Sequence, residues 1–403
     1  MNAAHFSQIE ELLSNKSKVD LFQGKRRTIT NTVYVIDEHK SIDAEDGISL
    51  AEKDEHSNQW VSIHILDSLY YIPYDSPLQL RANNQVSSLY LFGQRIPLFP
   101  REITKLLSFT NQKETREFKT ITFSALIDQK TGSILKYRIY PSIITKKIIK
   151  ILPKSEGNTL IGNLQAMSEK NEGKTGEGGP SPQDLEFFEL YKNYEKFSKY
   201  LPSVESSMDK ILFSKQNNKL LIRKSTYGKC FDLVRGYMFL AFTITASIGQ
   251  FNGIPLFYRQ CSNPYLSAFP SSTPDESKVK SSVYPTNHIH NEHYVYIQYN
   301  HSEFPLNFSL TAPCTSPFRR IFDYYNISQI QFLILNEALI SQDTLQHLLM
   351  FSNKKTSVWS FPLSSLFPFI PPFPSASLLP SSCLTFLTKF ISCAGNENKK
   401  KSR

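Results

Sequence analysis

The chain has 403 residues, of which 40% are hydrophobic and 20% are charged, and 45 Lys and Arg outnumber 36 Asp and Glu for a formal net charge of +9. This composition is typical of a globular protein with one large domain or two ordinary ones around a buried core. The five cysteines are scattered without C-x-x-C spacing, so the sequence implies neither a disulfide framework nor a thiolate zinc site. The positive charge suits an anionic partner such as nucleic acid, although a basic protein without such a partner has the same balance.

The N-terminus does not resemble a targeting segment. Residues 1–13 contain acidic side chains and lack an apolar stretch, unlike a secretory signal or an Arg-rich transit peptide. Together with the scattered cysteines, this predicts an intracellular protein in a reducing compartment, with the cytoplasm as first choice and the nucleus or an organelle still open. No membrane partner is expected.

The N-terminal half is predicted to consist mainly of strands. Residues 5–14 have the pattern of a short amphipathic helix, and residues 28–149 then alternate apolar and polar side chains between turn residues. Residues 118–123 and 134–140 flank the turn Asp128–Gly132, which predicts a β-hairpin.

The C-terminal half is predicted to be helical. Residues 168–184 are rich in Gly, Glu, Lys, Ser and Pro and predict a flexible loop, and helices are expected at residues 185–201, 230–250 and 321–349. In the second of these helices six residues at helical spacing predict a buried face: Phe231, Val234, Met238, Ala241, Phe242 and Thr245.

The C-terminal tail has an unusual composition. Residues 357–393 are apolar but interrupted by proline every few residues, which blocks a membrane-spanning helix. The tail either wraps a groove or is not native coding sequence, such as a translated intron. We favour the second interpretation.

The residues that most strongly indicate a chemical function form an acidic run. Asp37, Asp43, Glu45 and Asp46 lie within ten residues between apolar segments. Carboxylates at this density repel one another unless a cation neutralises them. Mg²⁺ and Mn²⁺ are the usual choice because they prefer oxygen ligands. A solvated acidic turn is the alternative for such a run taken alone.

Short motifs follow one another in a fixed order after the N-terminus. They are Val35–Asp37, Asp43–Ile48, Val61–Ser68, Ser76–Leu78, Ser87–Leu91, Ile96–Pro100, Leu106–Phe109, Tyr237–Ala241, Ile254–Arg259 and Cys314–Asp323. In this order they resemble the motifs of the catalytic domain of the ribonuclease II/R (RNB) family of exoribonucleases. The acidic run is similar to the family's aspartate-rich motif, and the last segment is similar to its Thr-Ser-Pro-x-Arg-Arg motif.

The resemblance implies both a fold and an activity. The expected fold is α+β, with a strand-rich N-terminal half and a helical C-terminal half around an RNA channel. It would occupy residues 30–350, between an N-terminal extension at residues 1–29 and the Pro-rich tail at residues 351–403. Family members hydrolyse single-stranded RNA from its 3′ end to nucleoside 5′-monophosphates, so we expect a divalent-metal-dependent 3′→5′ exoribonuclease that uses Mg²⁺ or Mn²⁺. Its RNA target and any partners in an RNA-decay complex are not indicated.

The resemblance also assigns roles to the acidic residues. Asp37, Asp43, Glu45 and Asp46 correspond to the metal-binding carboxylates, and Asp46 is also expected to act in catalysis. Glu45 stands where the family has an aspartate. One extra methylene moves the carboxylate by about 1.5 Å, and a misplacement of this size can lower a rate by roughly 10²-fold.

Further roles concern the RNA. Arg319 and Arg320 are expected to hold phosphate oxygens, as catalytic groups and, for Arg319, as an RNA contact; a salt bridge at the start of a helix is the alternative. Tyr90 corresponds to a tyrosine that stacks on the 3′-terminal nucleotides, although a core position is equally open. Thr315 and Ser316 are candidate phosphate or ribose contacts, unless Ser316 caps a helix that begins at the following proline.

Other departures from the family concentrate near the chemistry. Arg235 and Gly236 replace an acidic pair, Phe242 replaces an asparagine, and Ile327 replaces a histidine. The OB-type domains that flank the catalytic domain in full-length relatives are not recognisable here, so weaker RNA binding is expected. The alternative function is therefore a catalytically inactive RNB-like protein that binds RNA or acts as a scaffold, and a defective or truncated paralogue is a third possibility.

Two groups of histidines are interpreted without a functional role. His288, His290 and His293 lie in a loop-rich segment without a second ligand group at a suitable spacing, and a solvated loop is favoured over a metal site. His64 lies in an apolar strand and is expected to be a hydrogen-bonded core histidine.

Overall fold

The structure is a computed structural model that describes residues 20–38, 43–91, 94–111, 116–169, 179–201, 210–216, 219–225, 228–261, 282–283, 292–296, 310–335 and 344. Several predictions concern other parts of the chain. The helix at residues 5–14, the three histidines at residues 288–293 as a cluster, most of the loop at residues 168–184 and the tail at residues 351–403 lie wholly or largely outside the described residues.

The strands follow the predicted distribution, with most of them in the N-terminal half. They are β1 (Arg27–Thr28), β2 (Val33–Asp37), β3 (Asp46–Lys53), β4 (Gln59–Leu66), β5 (Leu89–Leu91), β6 (Gln94–Ile96), β7 (Glu117–Ile127), β8 (Ile134–Thr145), β9 (Ile149–Pro153), β10 (Lys210–Gln216), β11 (Lys219–Ser225), β12 (Phe257–Cys261), β13 (Ser282–Val283) and β14 (Glu292–Tyr296).

Seven of these strands form a mixed sheet in the order β1-β8-β7-β4-β3-β2-β9. Its central strands pair antiparallel, whereas β1 and β9 add to the two edges in parallel. The predicted hairpin is confirmed as β7–β8. Its turn needs Gly132, which has φ +72° and whose missing Cβ would lie 2.2 Å from the carbonyl oxygen of Lys196.

Three of the described helices correspond to predicted ones, although the predicted helix at residues 321–349 lies outside the described residues beyond Leu335, apart from residue 344. The other four are not predicted from the sequence. The described helices are α1 (Ser68–Tyr71), α2 (Pro77–Gln85), α3 (Arg101–Leu107), α4 (Lys154–Glu169), α5 (Pro182–Ser198), α6 (Lys229–Phe251) and α7 (Ile321–Leu335).

Helix α5 begins earlier than the predicted start at residue 185. Ser181 accepts a hydrogen bond from the backbone N–H of Asp184, whose side chain accepts one from Ser181, and Pro182 occupies the first turn. This capping box is a helix-start signal inside the segment that the composition assigns to a loop. The predicted loop is therefore shorter at both ends, because α4 also extends to Glu169.

The helices cover the two faces of the sheet and form two large hydrophobic cores with it, and a third, smaller cluster includes Leu256 and Ile330. On one face α4, α5 and α6 form a core with the sheet that includes Tyr34, Ile63 and Phe123. Val33 and Val35 alternate with Tyr34 along β2 and belong to a second core with α1, α2, α3 and α7. β2 therefore lies between the two cores, and its carboxyl end lies where they meet.

Helix α6 is buried along a slightly different face from the predicted one. Of the six predicted residues, Ala241, Phe242 and Thr245 are buried, whereas the other three are only half-buried. The fully buried row also includes Leu233, Tyr237 and Leu240. Length and hydropathy alone would allow α6 to cross a membrane, but 67% of its most apolar window is buried inside the protein. Burial of this extent is expected for the core helix of a globular fold.

A buried polar ladder crosses the sheet and contains His64. His64 Nε2 lies 2.9 Å from Ser49 Oγ, and Nδ1 lies 2.8 Å from Thr122 Oγ1, which in turn lies 2.5 Å from Ser142 Oγ. The prediction of a hydrogen-bonded core histidine is confirmed. Burial without a carboxylate partner lowers the pKa of His64 to about 3, so the ring stays neutral.

The His64 environment predicts loss of stability in mild acid. The unfolded chain binds a proton at this histidine below about pH 6.5, whereas the folded ring does not until about pH 3, so the free energy of unfolding falls as pH falls. Between about pH 7.5 and pH 5 we expect a contribution of about 2 kcal/mol from this residue. Urea unfolding at both pH values should show that His64→Gln lacks this contribution. An equal pH dependence in the variant and the wild type would contradict the assignment.

Candidate functional site

A cavity of about 500 Å³ opens where the carboxyl end of β2 meets α4, α6 and the turn before α7. Its walls combine charged, hydroxyl and apolar side chains. They are Val35, Ile36, Asp37, Ala44, Asp46, Ser87, Ser88, Lys154, Val234, Arg235, Met238, Phe242, Thr315, Ser316, Arg319 and Arg320. Four of these side chains are cationic and two are carboxylates, so the lining carries a net positive charge.

Two residues of the acidic run reach this cavity. Asp37 is the last residue of β2 and Asp46 is the first residue of β3. The antiparallel pairing of Tyr34 with Ile48 places these strand ends side by side. The two carboxylates therefore meet at one edge of the sheet because of the local strand register.

The other two residues of the acidic run do not line the cavity. Asp43 forms a salt bridge of 2.7 Å with Arg95. Glu45 is only 2% exposed and accepts hydrogen bonds from the backbone N–H of Phe318 at 2.9 Å and from Nε of Arg319 at 3.1 Å. The longer Glu45 side chain thus reaches the turn before α7 and is fixed there.

Each carboxylate of the acidic run lies near a cation of the protein itself. Arg319 approaches Asp43 at 3.9 Å and Asp46 at 4.0 Å, in addition to Glu45. Asp37 lies 3.5 Å from Nζ of Lys154. Arginine and lysine side chains therefore supply the positive charge that such a run requires.

This arrangement does not match the predicted four-carboxylate metal centre. Within the described ranges, no three His, Cys, Asp or Glu side chains converge in a way that could hold a metal ion. The reason is local, since Asp43 is paired with Arg95, Glu45 with Arg319 and Asp37 with Lys154. The residues present do not fit a divalent cation held by all four carboxylates.

Burial strongly affects the two central carboxylates. It raises the pKa of Asp46 to about 6, and the positive charges of Arg319, Lys154 and Arg320 oppose this rise. Burial likewise raises the pKa of Glu45, against the opposing effects of Arg319 and the N–H of Phe318. The ionised form of either carboxylate therefore depends on the guanidinium of Arg319.

Arg319 and Arg320 form salt bridges and also line the cavity, so their positions are compatible with both roles that the sequence leaves open, a salt bridge and a phosphate contact. Arg320 donates to Asp323 at 2.7 Å, which is the expected salt bridge at the start of α7. Arg319 donates to Ser316 Oγ at 2.8 Å. Both guanidinium groups also line the cavity and are about a third exposed, at 32% and 31%. They are thus held in place by carboxylates while one side remains accessible.

Thr315 and Ser316 are almost fully buried and line the same cavity. The alternative that Ser316 caps a helix is wrong, because the residues that follow it form a turn and α7 begins only at Ile321. Its hydroxyl accepts from Arg319 instead and helps to orient that side chain. A phosphate or ribose contact by Thr315 and Ser316 stays a prediction.

Tyr90 lies in β5, where its backbone pairs with Arg95 of β6. Its side chain lies outside the described part of the chain, so the stacking role stays a prediction. Ile327 is fully buried in the core and does not reach the cavity. Arg235 and Phe242, the other departures from the family, both line it.

Sequence reasoning did not identify Lys154 as part of the site. It is the first residue of α4 and directly follows β9, whose last residue, Pro153, pairs with Asp37 across the parallel strands β9 and β2. The carboxyl ends of adjacent parallel strands lie at the same sheet edge. The sequence does not predict the pairing of β9 with β2, so nothing in it indicates that Lys154 lies in the site.

Comparisons with known proteins agree with the motif series. The model of the RNB domain matches residues 26–336. The chain therefore belongs to the RNB domain family. Ribonuclease R of Thermotoga maritima is 23% identical over 241 residues, which represent 60% of this chain and 32% of that protein. The chain thus spans about a third of the length of this curated relative.

Solved structures share the fold. RNase R of Mycoplasma genitalium in complex with ribose-methylated single-stranded RNA superposes with a TM-score of 0.61 at 14% identity, covering 89% of this chain and 62% of that chain. Yeast Ssd1, described as a pseudonuclease, superposes with a TM-score of 0.54 at 16% identity, covering 82% of this chain and 43% of that chain. The α+β fold predicted from the sequence is confirmed.

The Glu45 contacts predict a large effect on stability. In Glu45→Ala the N–H of Phe318 and the guanidinium of Arg319 lose a buried acceptor, so we expect the free energy of unfolding to fall by about 2 kcal/mol or more. Urea unfolding measures this change. Glu55→Ala is the matched control, because Glu55 is 86% exposed and its loss should change stability by less than about 0.5 kcal/mol. Equal effects of the two substitutions would show that the Glu45 contacts are not stabilising.

Proposed function

We propose that this RNB domain binds single-stranded RNA in the cavity through the phosphate groups, without efficient hydrolysis. The observation that carries this proposal is the charge balance of the lining. Lys154, Arg235, Arg319 and Arg320 face the cavity, while each carboxylate of the acidic run is already near a cation. A cavity with excess positive charge attracts a polyanion.

The shape of the cationic groups favours phosphate as the bound anion. Guanidinium groups present planar forks of N–H donors that match phosphate oxygens, and Arg319 and Arg320 are both held in position by carboxylates. Such pre-positioning lowers the entropy lost on binding. Two arginines fixed on one turn can contact neighbouring oxygens of one phosphate or of consecutive phosphates.

The apolar part of the lining supports a nucleic acid over a small inorganic anion. Val234, Met238 and Phe242 project from α6 into the same cavity as the arginines. Apolar and aromatic side chains can pack against a base or a ribose without selecting a sequence. The RNA-bound state of Mycoplasma genitalium RNase R, which shares the fold, supports RNA as this ligand.

Hydrolysis is the second candidate function. Members of the RNB family are 3′→5′ exoribonucleases, and Asp37 and Asp46 both reach the cavity beside Arg319 and Arg320. Glu45 argues against it, because this carboxylate is buried and bonded to Arg319 where the family resemblance requires a metal ligand. The pseudonuclease described for yeast Ssd1 supports an inactive member of this fold.

RNA binding predicts a specific effect of Arg235. In Arg235→Gln one phosphate contact is removed, so we expect affinity for a fluorescent oligouridylate to fall about tenfold. The slope of log affinity against log salt should decrease in magnitude by about 0.7. Fluorescence anisotropy over a range of salt concentrations measures both quantities. Lys136→Gln removes one positive charge from the exposed part of β8, away from the cavity, and should leave the slope unchanged. If both variants behave alike, binding does not involve this cavity.

The question of hydrolysis has a direct assay. Single-stranded RNA labelled at its 5′ end is incubated with the protein and Mg²⁺, and products are separated on a denaturing gel. We expect intact RNA with both the wild type and Asp46→Asn. Stepwise shortening of the labelled RNA by the wild type but not by Asp46→Asn would establish the exoribonuclease and reject the binding-only function.

A further inference from the structure

Lys154 is fixed beside the acidic run by the backbone. The parallel pairing of β9 with β2 sets Pro153 opposite Asp37, and Lys154 follows as the first residue of α4. The strand register therefore fixes the backbone position of Lys154 at the cavity. Helix dipoles disfavour a cation at a helix N-terminus, so nearby carboxylates are needed to offset this placement.

Those carboxylates are the ones at the end of β2. Nζ of Lys154 lies 3.5 Å from Asp37 and 3.6 Å from Glu38, and the side chain is only 23% exposed. Its charge also acts on Asp46, whose pKa it lowers against the effect of burial. The ammonium is thus adjacent to Asp37, one of the two carboxylates that line the cavity.

A divalent cation would compete with this ammonium. A metal ion bound by Asp37 and Asp46 would lie close to Nζ of Lys154 and near the guanidinium of Arg319, and like charges at such distances repel strongly in a partly buried site. Binding the metal would require both salt bridges to open. Lys154 and Arg319 therefore supply the positive charge that a metal ion would otherwise bring to Asp37 and Asp46.

We propose that the cavity binds RNA phosphate without a divalent cation, because the Lys154 ammonium at Asp37 and the Arg319 guanidinium at Asp46 supply the positive charge. This inference rests on the proposed RNA-binding function. It adds that protein side chains, and not a metal ion, are the cations beside the carboxylates. The phosphate would contact Lys154, Arg319 and Arg320 directly, without a bridging Mg²⁺ ion.

The first test uses the unmodified protein. Binding of a fluorescent oligouridylate is measured by anisotropy in excess EDTA and in millimolar Mg²⁺ at equal ionic strength. We expect dissociation constants that agree within about twofold. Binding only with Mg²⁺ would overturn the inference and leave the proposed RNA binding intact. Failure to bind in either buffer would overturn both.

The second test removes the ammonium. Lys154→Met keeps an unbranched side chain without its charge, which leaves Asp37 uncompensated next to the phosphate. We expect binding in EDTA to weaken about tenfold and Mg²⁺ to restore it, whereas Lys154→Arg should bind without metal. Lys192→Met, which alters an exposed pair with Glu189 on α5, is the matched control and should behave as the wild type. Unchanged binding of Lys154→Met in EDTA would overturn the role of Lys154.

A metal titration gives an answer that does not depend on RNA. Mn²⁺ is added to the protein alone, and free Mn²⁺ is followed by electron paramagnetic resonance. We expect no stoichiometric uptake by the wild type and one site in Lys154→Met. Uptake by the wild type that Asp37→Asn abolishes would overturn the inference, even if Lys154→Met failed to fold.

Discussion

The contact of Glu45 with Phe318 and Arg319 is the constraint on which the candidate site depends. It joins the loop before β3 to the turn before α7, which are separated by 273 positions in the sequence. Because Glu45 is buried, its charge is tolerable only with a close guanidinium and a backbone N–H as partners. The turn that presents Arg319 and Arg320 is therefore tied to the sheet edge that presents Asp37 and Asp46.

The same contact decides what the acidic run can do. Arg319 is shared among Glu45, Asp43 and Asp46, so much of its charge neutralises carboxylates before any ligand arrives. Arg320 and Lys154 are likewise paired, with Asp323 and Asp37, while they line the cavity. The acidic run contacts three cations, of which Lys154 and Arg319 line the cavity. Carboxylates that hold arginines give the geometry for binding an anion.

The sequence predicts the local features of this site but not how they are combined. The β7–β8 hairpin, helix α6 and the position of His64 follow from turn residues and apolar periodicity, because these signals lie within short segments. The motif series correctly brings the acidic run and the Thr315–Arg320 turn to one place. The direction of the Glu45 side chain and the arrival of Lys154 depend on contacts between distant segments, for which no short-range pattern exists. The shifted face of α6 has the same origin, since Val234 and Met238 lie at the border of the core and also line the cavity.

A carboxylate-rich segment becomes a metal site only if its charge is left uncompensated by the rest of the fold. Here the compensating cations come from three separate elements: Arg95 from β6, Lys154 from α4 and Arg319 from the turn before α7. Replacing Glu45 with the aspartate of the family would therefore not by itself create a divalent-metal centre, since Lys154 would still neutralise Asp37 and Arg95 would still neutralise Asp43. A return to the four-carboxylate arrangement requires the loss of several cations together. The departure at Glu45 is thus one part of a charge pattern that is consistent across the whole cavity.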